Sequence, residues 1–342
     1  MKGWTETRQV HAALADAWAT GRRAALATVI RVQGSAYRQP GAKLLVLEDG
    51  HHVGNVSGGC LEGDVREVAR QVIASGVAER RSYCGGADEI AAWDLGVGCE
   101  GEVELLIEPL TDDRPAMQAA IQAEDPFVTI TAIDASGGTA FEVVSGPRAT
   151  ALARDGSRLD TDGATARFIE VHHPAPRLVI VSAGDDAIPL ARLGDLVGFR
   201  VVVVDRRSGL LTPARFPDPI RRVEATADAV CSRVAVIADD AVVVMTHHFG
   251  DDIDYLDALR TSPARYLGLL GPRQRTARII ARLEATGPFD RARLFGPVGL
   301  DIGTDGAEQV ALAVIAEILA VRSGRAPRSL RDRVAPIHAD VG

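Results

Sequence analysis

Hydrophobic residues change their spacing several times along this chain. Near the start, Val10, Leu14 and Trp18 recur every four positions and Gly21 follows, which predicts an amphipathic helix and its stop. The apolar run "AALATVIRV" (24–32) reads as a buried strand. "AKLLVLEDGHHVGNVS" (42–57) reads as two strands around Asp49-Gly50, a two-residue hairpin signal. From Cys60 the spacing turns helical again, with Leu61, Val65, Val68 and Val72 on one stripe and Gly76 at its end. "EVELLIEPL", "PFVTITAID", "TAFEVVS" and "ARFIEVHH" add four more strands.

A proline-bracketed joint, "HHPAPRL", separates two patterns. Beyond it, continuous apolar strands ("RLVIVSAG", "FRVVVVDRR", "AVVVMTHH", "ARYLGLLG") alternate with amphipathic segments such as "DDAIPLARLGDLVG" and "PRQRTARIIARLEAT". Such alternation predicts a parallel sheet covered on both faces. The expected architecture is α/β throughout: an N-terminal mixed α/β domain over residues 1–174, then a Rossmann-like doubly wound domain over 175–342.

Composition narrows the function classes. The 342 residues carry a net charge of −8 with no basic run interleaved with aromatics, which argues against nucleic acid as a partner. No apolar run approaches the ~20 residues that span a bilayer, and the first residues lack the apolar core of a signal peptide. A cytoplasmic protein without membrane attachment is expected. The four cysteines, Cys60, Cys84, Cys99 and Cys231, form no Cys-x-x-Cys pair and read as free thiols in a reducing compartment. Lysine occurs only at Lys2 and Lys43, which singles out Lys43.

The second half carries an imperfect dinucleotide fingerprint. In Ser182-Ala183-Gly184-Asp185-Asp186-Ala187, Gly184 holds the position where a pyrophosphate approaches the backbone, while Ser182 replaces the first glycine. Asp205, at the end of the next strand, stands where a ribose-binding carboxylate belongs. Asp185 and Asp186 suit a helix start but repel phosphate, so these residues leave NAD(P) binding open. His247, at the end of "VVVMTHH", and Arg273, after "YLGLLG", lie at other strand ends, where open α/β sheets bind ligands.

The first half places Cys60 directly after Gly58-Gly59, at the N-cap or first turn of its helix. A helix start favours thiolate, whereas Glu62 and Asp64 oppose it. A ligand-facing thiol and a small core residue are equally compatible with that setting. Cys99 stands in a similar glycine-flanked turn, "GVGCEG". The loop 34–43 carries Ser35, Arg38 and Lys43, suited either to an anion such as a phosphate or to an ordinary polar connection.

Together these stretches resemble the XdhC/CoxI family, the xanthine dehydrogenase accessory factors. "GSAYRQPGAKLLV" is similar to the family's Gly-Ser-x-x-Arg-x-x-Gly-Ala segment, "GNVSGGCLEGD" to its Ser-Gly-Gly-Cys-x-Glu segment and "GVGCEGEVELLIEP" to its second cysteine segment. "SAGDDAIPLARLGDLVGFRVVVVDRR", "YLGLLGPRQRTARI" and "GPVGLDIGTDGAEQVALAVIAEI" resemble its Rossmann half. Glu100, Ser182 and Gly306-Ala307 depart from the family pattern.

The resemblance implies a cofactor chaperone more than a catalyst, with no catalytic residues assigned. Such a protein binds molybdenum cofactor (molybdopterin), supports its sulfuration with a cysteine desulfurase as sulfur donor, and inserts it into an apo molybdenum hydroxylase such as xanthine dehydrogenase. It implies Cys60 and Cys99 near the molybdenum, Gly58 and Gly59 as clearance, and Ser35, Arg38 and Lys43 as candidates for the pterin phosphate. A homodimer is expected. The rival reading is an NAD(P)-dependent oxidoreductase using Gly184, Asp205 and the Rossmann half. A third is an assembly scaffold whose Rossmann half only docks partners.

Overall fold

A computed structural model describes residues 4–34, 36–84, 101–110, 115–122, 125–134, 138–162 and 165–334. Ser35 and Cys99 lie outside these residues. The chain divides into two compact units, which meet in the sequence at Pro174 and Ala175.

The N-terminal unit begins with helix α1 (Trp4–Thr20), followed by strands β1 (Ala24–Gln33), β2 (Lys43–Leu47) and β3 (His52–Gly54) and helix α2 (Glu62–Ser75). Strands β4 (Glu79–Cys84) and β5 (Glu102–Leu110) complete an antiparallel sheet in the order β3-β2-β1-β5-β4. β1 is central and buried on both faces. Ala25, Ala27 and Val29 pack with Val65, Val68 and Val72 of α2, while Leu26 packs with Val10 and Leu14 of α1. Fully burying each such valine or leucine contributes roughly 1.5–3 kcal/mol, which is why an unbroken apolar run forms the middle strand.

A second antiparallel sheet takes the order β7-β6-β9-β8 from strands β6 (Phe127–Ile133), β7 (Thr139–Val144), β8 (Arg158–Asp162) and β9 (Thr165–His172). Helices α3 (Pro115–Gln122) and α4 (Gly146–Ala153) precede β6 and β8. The two sheets share a core in which Ile30 and Leu106 of the first meet Ile133, Ala166 and Phe168 of the second.

Two expectations are corrected here. The hairpin loop holds three residues, Glu48 to Gly50, because Leu47 N–H donates to His51 C=O (2.8 Å) and Gly50 N–H turns back to Leu47 C=O (2.9 Å). Gly50, at φ 86°, takes the left-handed position that closes such a loop. Helix α2 starts at Glu62, not at Cys60: Leu61 is its N-cap, and the Val65 N–H to Leu61 C=O bond (3.0 Å) is the first of its ladder.

The C-terminal unit is a parallel sheet in the order β12-β11-β10-β13-β14-β15, built from β10 (Arg177–Val181), β11 (Arg200–Asp205), β12 (Arg221–Glu224), β13 (Ala241–Val244), β14 (Tyr266–Leu269) and β15 (Leu294–Phe295). Alternate residues of β10 feed opposite cores. Leu178 and Ile180 pack with helices α5 (Ala187–Leu196) and α9 (Ala307–Ser323). Val179 and Val181 pack with α6 (Val230–Val234), α7 (Phe249–Ala258) and α8 (Arg273–Thr286). This is the doubly wound arrangement that the apolar strands predict. Strand order reverses between β10 and β13, which makes the carboxyl ends of those two strands the crevice of this unit. Among the described residues no helix is long and apolar enough to cross a membrane.

Candidate functional site

Antiparallel pairing brings the sequence motifs of the N-terminal unit to one end of one sheet. β1 runs past the point where β2 enters, since Thr28 pairs with Lys43, and continues along β5 to Gln33; β3 leaves at the same end, since Leu44 pairs with Gly54. β4 ends and β5 begins there too, because Cys84 pairs with Glu102, and Gln33 with Glu102 on the other side. The loop residues 36–42 and 55–61 therefore emerge side by side, with Cys84 at the end of the sheet's edge strand.

Glu6 on α1 ties these loops together. Its carboxylate accepts two hydrogen bonds from the Arg38 guanidinium (2.8 and 2.7 Å) and one from Asn55 N–H (3.0 Å). Arg38 is thus positioned at the loop pair with its charge already partnered. The second loop is also held from within. Glu62 reaches back from the first turn of α2 to accept from Val56 N–H (3.2 Å), Ser57 N–H (2.8 Å) and the Ser57 hydroxyl. Ser57 Oγ in turn accepts from Gly59 N–H and Leu61 N–H, both at 3.1 Å. Burial pushes the Glu62 carboxyl up, but the hydrogen bonds from Ser57 and Val56 outweigh it and hold the group below the usual carboxylate range. The acidic residues of the Cys60 segment therefore have local work: Glu62 fixes the loop, and Asp64 accepts from the Tyr83 hydroxyl at 2.5 Å.

Within this frame Cys60 is half-buried, packed at the margin of the α2 core. Gly59 sits at φ 113°, and a side chain there would meet nothing within 4 Å, so its outer side is open. Gly58 lies under the Tyr37 ring, 3.8 Å from where a Cβ would stand. Among the described residues, Asn55 Oδ1 is buried without a hydrogen-bond partner. The open glycine and the half-buried thiol make a face able to receive a ligand. Among the described residues no three His, Cys, Asp or Glu side chains gather as a metal site.

Lys43 does not join this face. Its ammonium lies between the two sheets of the unit, 2.6 Å from Glu170 on β9, and is 7% exposed. The position alternates inward along β2, so the chain's isolated lysine serves a buried ion pair instead of a phosphate. Thr28, Glu108, Thr129 and Thr131 line the same cavity, with Leu106 and Phe168 among its apolar walls. Glu6, Ser57, Glu62 and Tyr37 are the members of the site that sequence reasoning missed; for Glu62, the Ser-x-x-x-x-Glu spacing from Ser57 is the signal present in the sequence.

The Rossmann-half candidates assemble separately, along the carboxyl edge of the parallel sheet. Asp205 is 4% exposed and fully engaged. It accepts from Ala183 N–H (2.7 Å), from Arg207 N–H (2.8 Å) and from the Arg207 guanidinium at 2.9 and 2.8 Å. Burial raises this carboxyl, but those bonds prevail and hold it below the usual range. The expected ribose ligand is thus occupied by the protein's own arginine. Gly184 N–H donates to Ser182 Oγ (3.0 Å), so a second fingerprint donor is turned inward. His247, at φ 61°, pairs with Asp186 across the β10/β13 crevice (3.0 Å). Asp185 pairs with Arg215 at 2.8 Å. Arg273 is exposed at the first residue of α8, while its neighbour Arg275 reaches the buried Asp252 at 2.5 Å. The edge is closed by its own ion pairs, with carboxylates where a pyrophosphate would need cations.

Comparison with known proteins gives the family. Residues 17–83, which contain both loops, match the XdhC and CoxI family, and residues 178–318 match the XdhC Rossmann domain. The chain is 31% identical over 313 residues to a probable xanthine dehydrogenase subunit from Bacillus subtilis, covering 87% of this chain and 93% of that one. The chain belongs to the XdhC and CoxI family. It is also 26% identical over 310 residues to the molybdenum cofactor insertion chaperone PaoD of Escherichia coli, covering 90% of this chain and 86% of PaoD. A crystal structure of a xanthine dehydrogenase from Bacillus halodurans aligns with a TM-score of 0.77 at 29% identity, over 93% of this chain and 97% of that one. In this XdhC-family protein, the departure at Ser182 and the acidic pair Asp185-Asp186 supply the contacts that occupy the Rossmann edge.

Proposed function

We propose that this protein binds molybdenum cofactor as cargo, supports its sulfuration and inserts it into an apo molybdenum hydroxylase such as xanthine dehydrogenase. The observation that carries the reading is the loop pair at the end of the first sheet. There Cys60 stands half-buried beside the open Gly59, on a loop that starts at Asn55, whose buried Oδ1 has no partner among the described residues, inside a frame fixed by Glu6, Ser57 and Glu62. Soft thiolates suit a molybdenum–sulfur group. A missing side chain supplies clearance for a bulky ligand. The relatives agree: one is named for insertion of this cofactor, another as part of a xanthine dehydrogenase.

On this reading the chain acts by holding and protecting. It keeps the cofactor from water and oxidants between its source and its client, while a cysteine desulfurase supplies the sulfur. Cys99, outside the described residues, is proposed as a second thiol on the same cargo. The test is a titration of the cofactor-free chain with molybdenum cofactor released from a donor enzyme. Saturable binding in the wild type, weakened about ten-fold or more in Cys60→Ser, is the expected result. Undiminished binding in Cys60→Ser, or none in the wild type, contradicts it.

A further inference from the structure

We propose that Tyr37 is the platform on which the flat pterin ring of the cargo stacks. The inference rests on the loop pair being the cofactor-binding face, and adds to it a residue that recognises the organic half of the ligand.

The chain has four tyrosines. Three are spent on the fold. Tyr83 donates to Asp64, Tyr255 donates to the Ala225 carbonyl at 2.7 Å, and Tyr266 donates to Glu317 at 2.8 Å while stacking on Phe295. Tyr37 is 65% exposed, and among the described residues no such bond anchors it. Its ring is therefore the one tyrosine ring of the described residues left available to a ligand.

Its surroundings give the ring a fixed place. One edge of it lies over Gly58, 3.8 Å from where a Cβ there would stand, so the ring is in contact range of the second loop. The next residue, Arg38, is clamped by two hydrogen bonds to Glu6, which anchors the backbone beside the tyrosine. The remainder of the ring faces outward, at the loop that also carries Gly59 and Cys60. Asn55 Oδ1, at the start of that loop, is a buried acceptor with no hydrogen-bond partner among the described residues. An exposed aromatic plate and a thiol on one pair of loops suit a planar nitrogen heterocycle carrying a metal–sulfur group. Stacking on such a plate is general for flat heterocycles, so purine nucleotides share the chemistry, and the test separates the two.

The experiment measures binding of molybdenum cofactor, of a pterin monophosphate and of guanosine monophosphate to the full chain, as wild type and as Tyr37→Ala, Tyr37→Phe and Tyr37→Trp. Folding is checked by each variant's denaturation midpoint, which should not move because the side chain is exposed. Loss of one stacking partner weakens binding by roughly 5- to 150-fold. The expected result is a loss in that range for the cofactor and the pterin with Tyr37→Ala, binding within about three-fold of wild type for Tyr37→Phe and Tyr37→Trp, and weak guanosine monophosphate binding throughout. Wild-type cofactor binding that Tyr37→Ala leaves unchanged overturns the platform and leaves the loop-pair reading standing. Guanosine monophosphate binding as tight and as Tyr37-dependent as the pterin's overturns the assignment to pterin. A wild type that binds neither cofactor nor pterin overturns both readings together.

Discussion

Glu6 and Arg38, 32 positions apart in the sequence, share two hydrogen bonds at 2.8 and 2.7 Å, and the same carboxylate also takes Asn55 N–H. A helix residue thereby sets the spacing between the two loops of the candidate site. Glu6→Ala leaves a guanidinium and a backbone N–H without a partner. It is expected to lower unfolding free energy by about 1–3 kcal/mol in a urea titration. Cofactor affinity should fall with it, because the loops lose their common anchor; unchanged affinity would separate the pair from the site.

The two glycines before Cys60 are not equivalent. A methyl at Gly58 makes only ordinary contact with Tyr37, whereas Gly59 holds a left-handed backbone that side chains rarely adopt. Gly59→Ala should therefore destabilise by roughly 1–3 kcal/mol, with Gly58→Ala close to wild type in the same titration.

Lys43 and Glu170 pair inside the N-terminal unit. Removing the lysine leaves the buried Glu170 carboxylate without its ammonium partner, with the His172 ring 3.5 Å away, so Lys43→Met should cost about 3–5 kcal/mol. The double substitution Lys43→Met with Glu170→Met should recover much of that loss. A double variant no better than the single would show that the pair is not the reason for the loss.

Asp205 and Glu62 both titrate below the usual carboxylate range in the folded chain. As pH falls, the unfolded chain takes up these protons first, near the ordinary value of about 4. The stability each group contributes is complete above that value and is lost as pH drops through its lower folded value. Asp205→Asn should flatten the acid limb of stability against pH below about 4, measured by urea unfolding. Because Asp205 is filled by Arg207 and Ala183, NADH should show no saturable binding to the wild type by fluorescence titration.

Much of the fold is legible in the sequence because the central strands are apolar on both faces. β1, β10, β11, β13 and β14 read as continuous hydrophobic runs. The edges do not: β4 ("ERRSYC") and β12 ("RRVE") are polar along most of their length and are held by pairing with a neighbour, a signal no local pattern carries. The helix start near Cys60 is displaced by two residues because Glu62 hydrogen-bonds backwards into the loop. At the site, glycine and cysteine spacing points to the loop pair. Which polar groups are occupied is decided at long range, by Glu6 from α1 and Glu170 from β9. Arg38 and Lys43 look free in the sequence because their partners lie far along the chain, whereas Asp205 is taken by Arg207, two residues on, and by Ala183 N–H from the neighbouring strand end.

The most direct measurement is the molybdenum and pterin content of the protein purified from a host that makes the cofactor. The account predicts both, in matching amounts, with the wild type, and a marked loss of both from Cys60→Ser at unchanged stability. A wild type free of molybdenum and pterin that instead binds NADH saturably, with loss in Asp205→Asn, would contradict it.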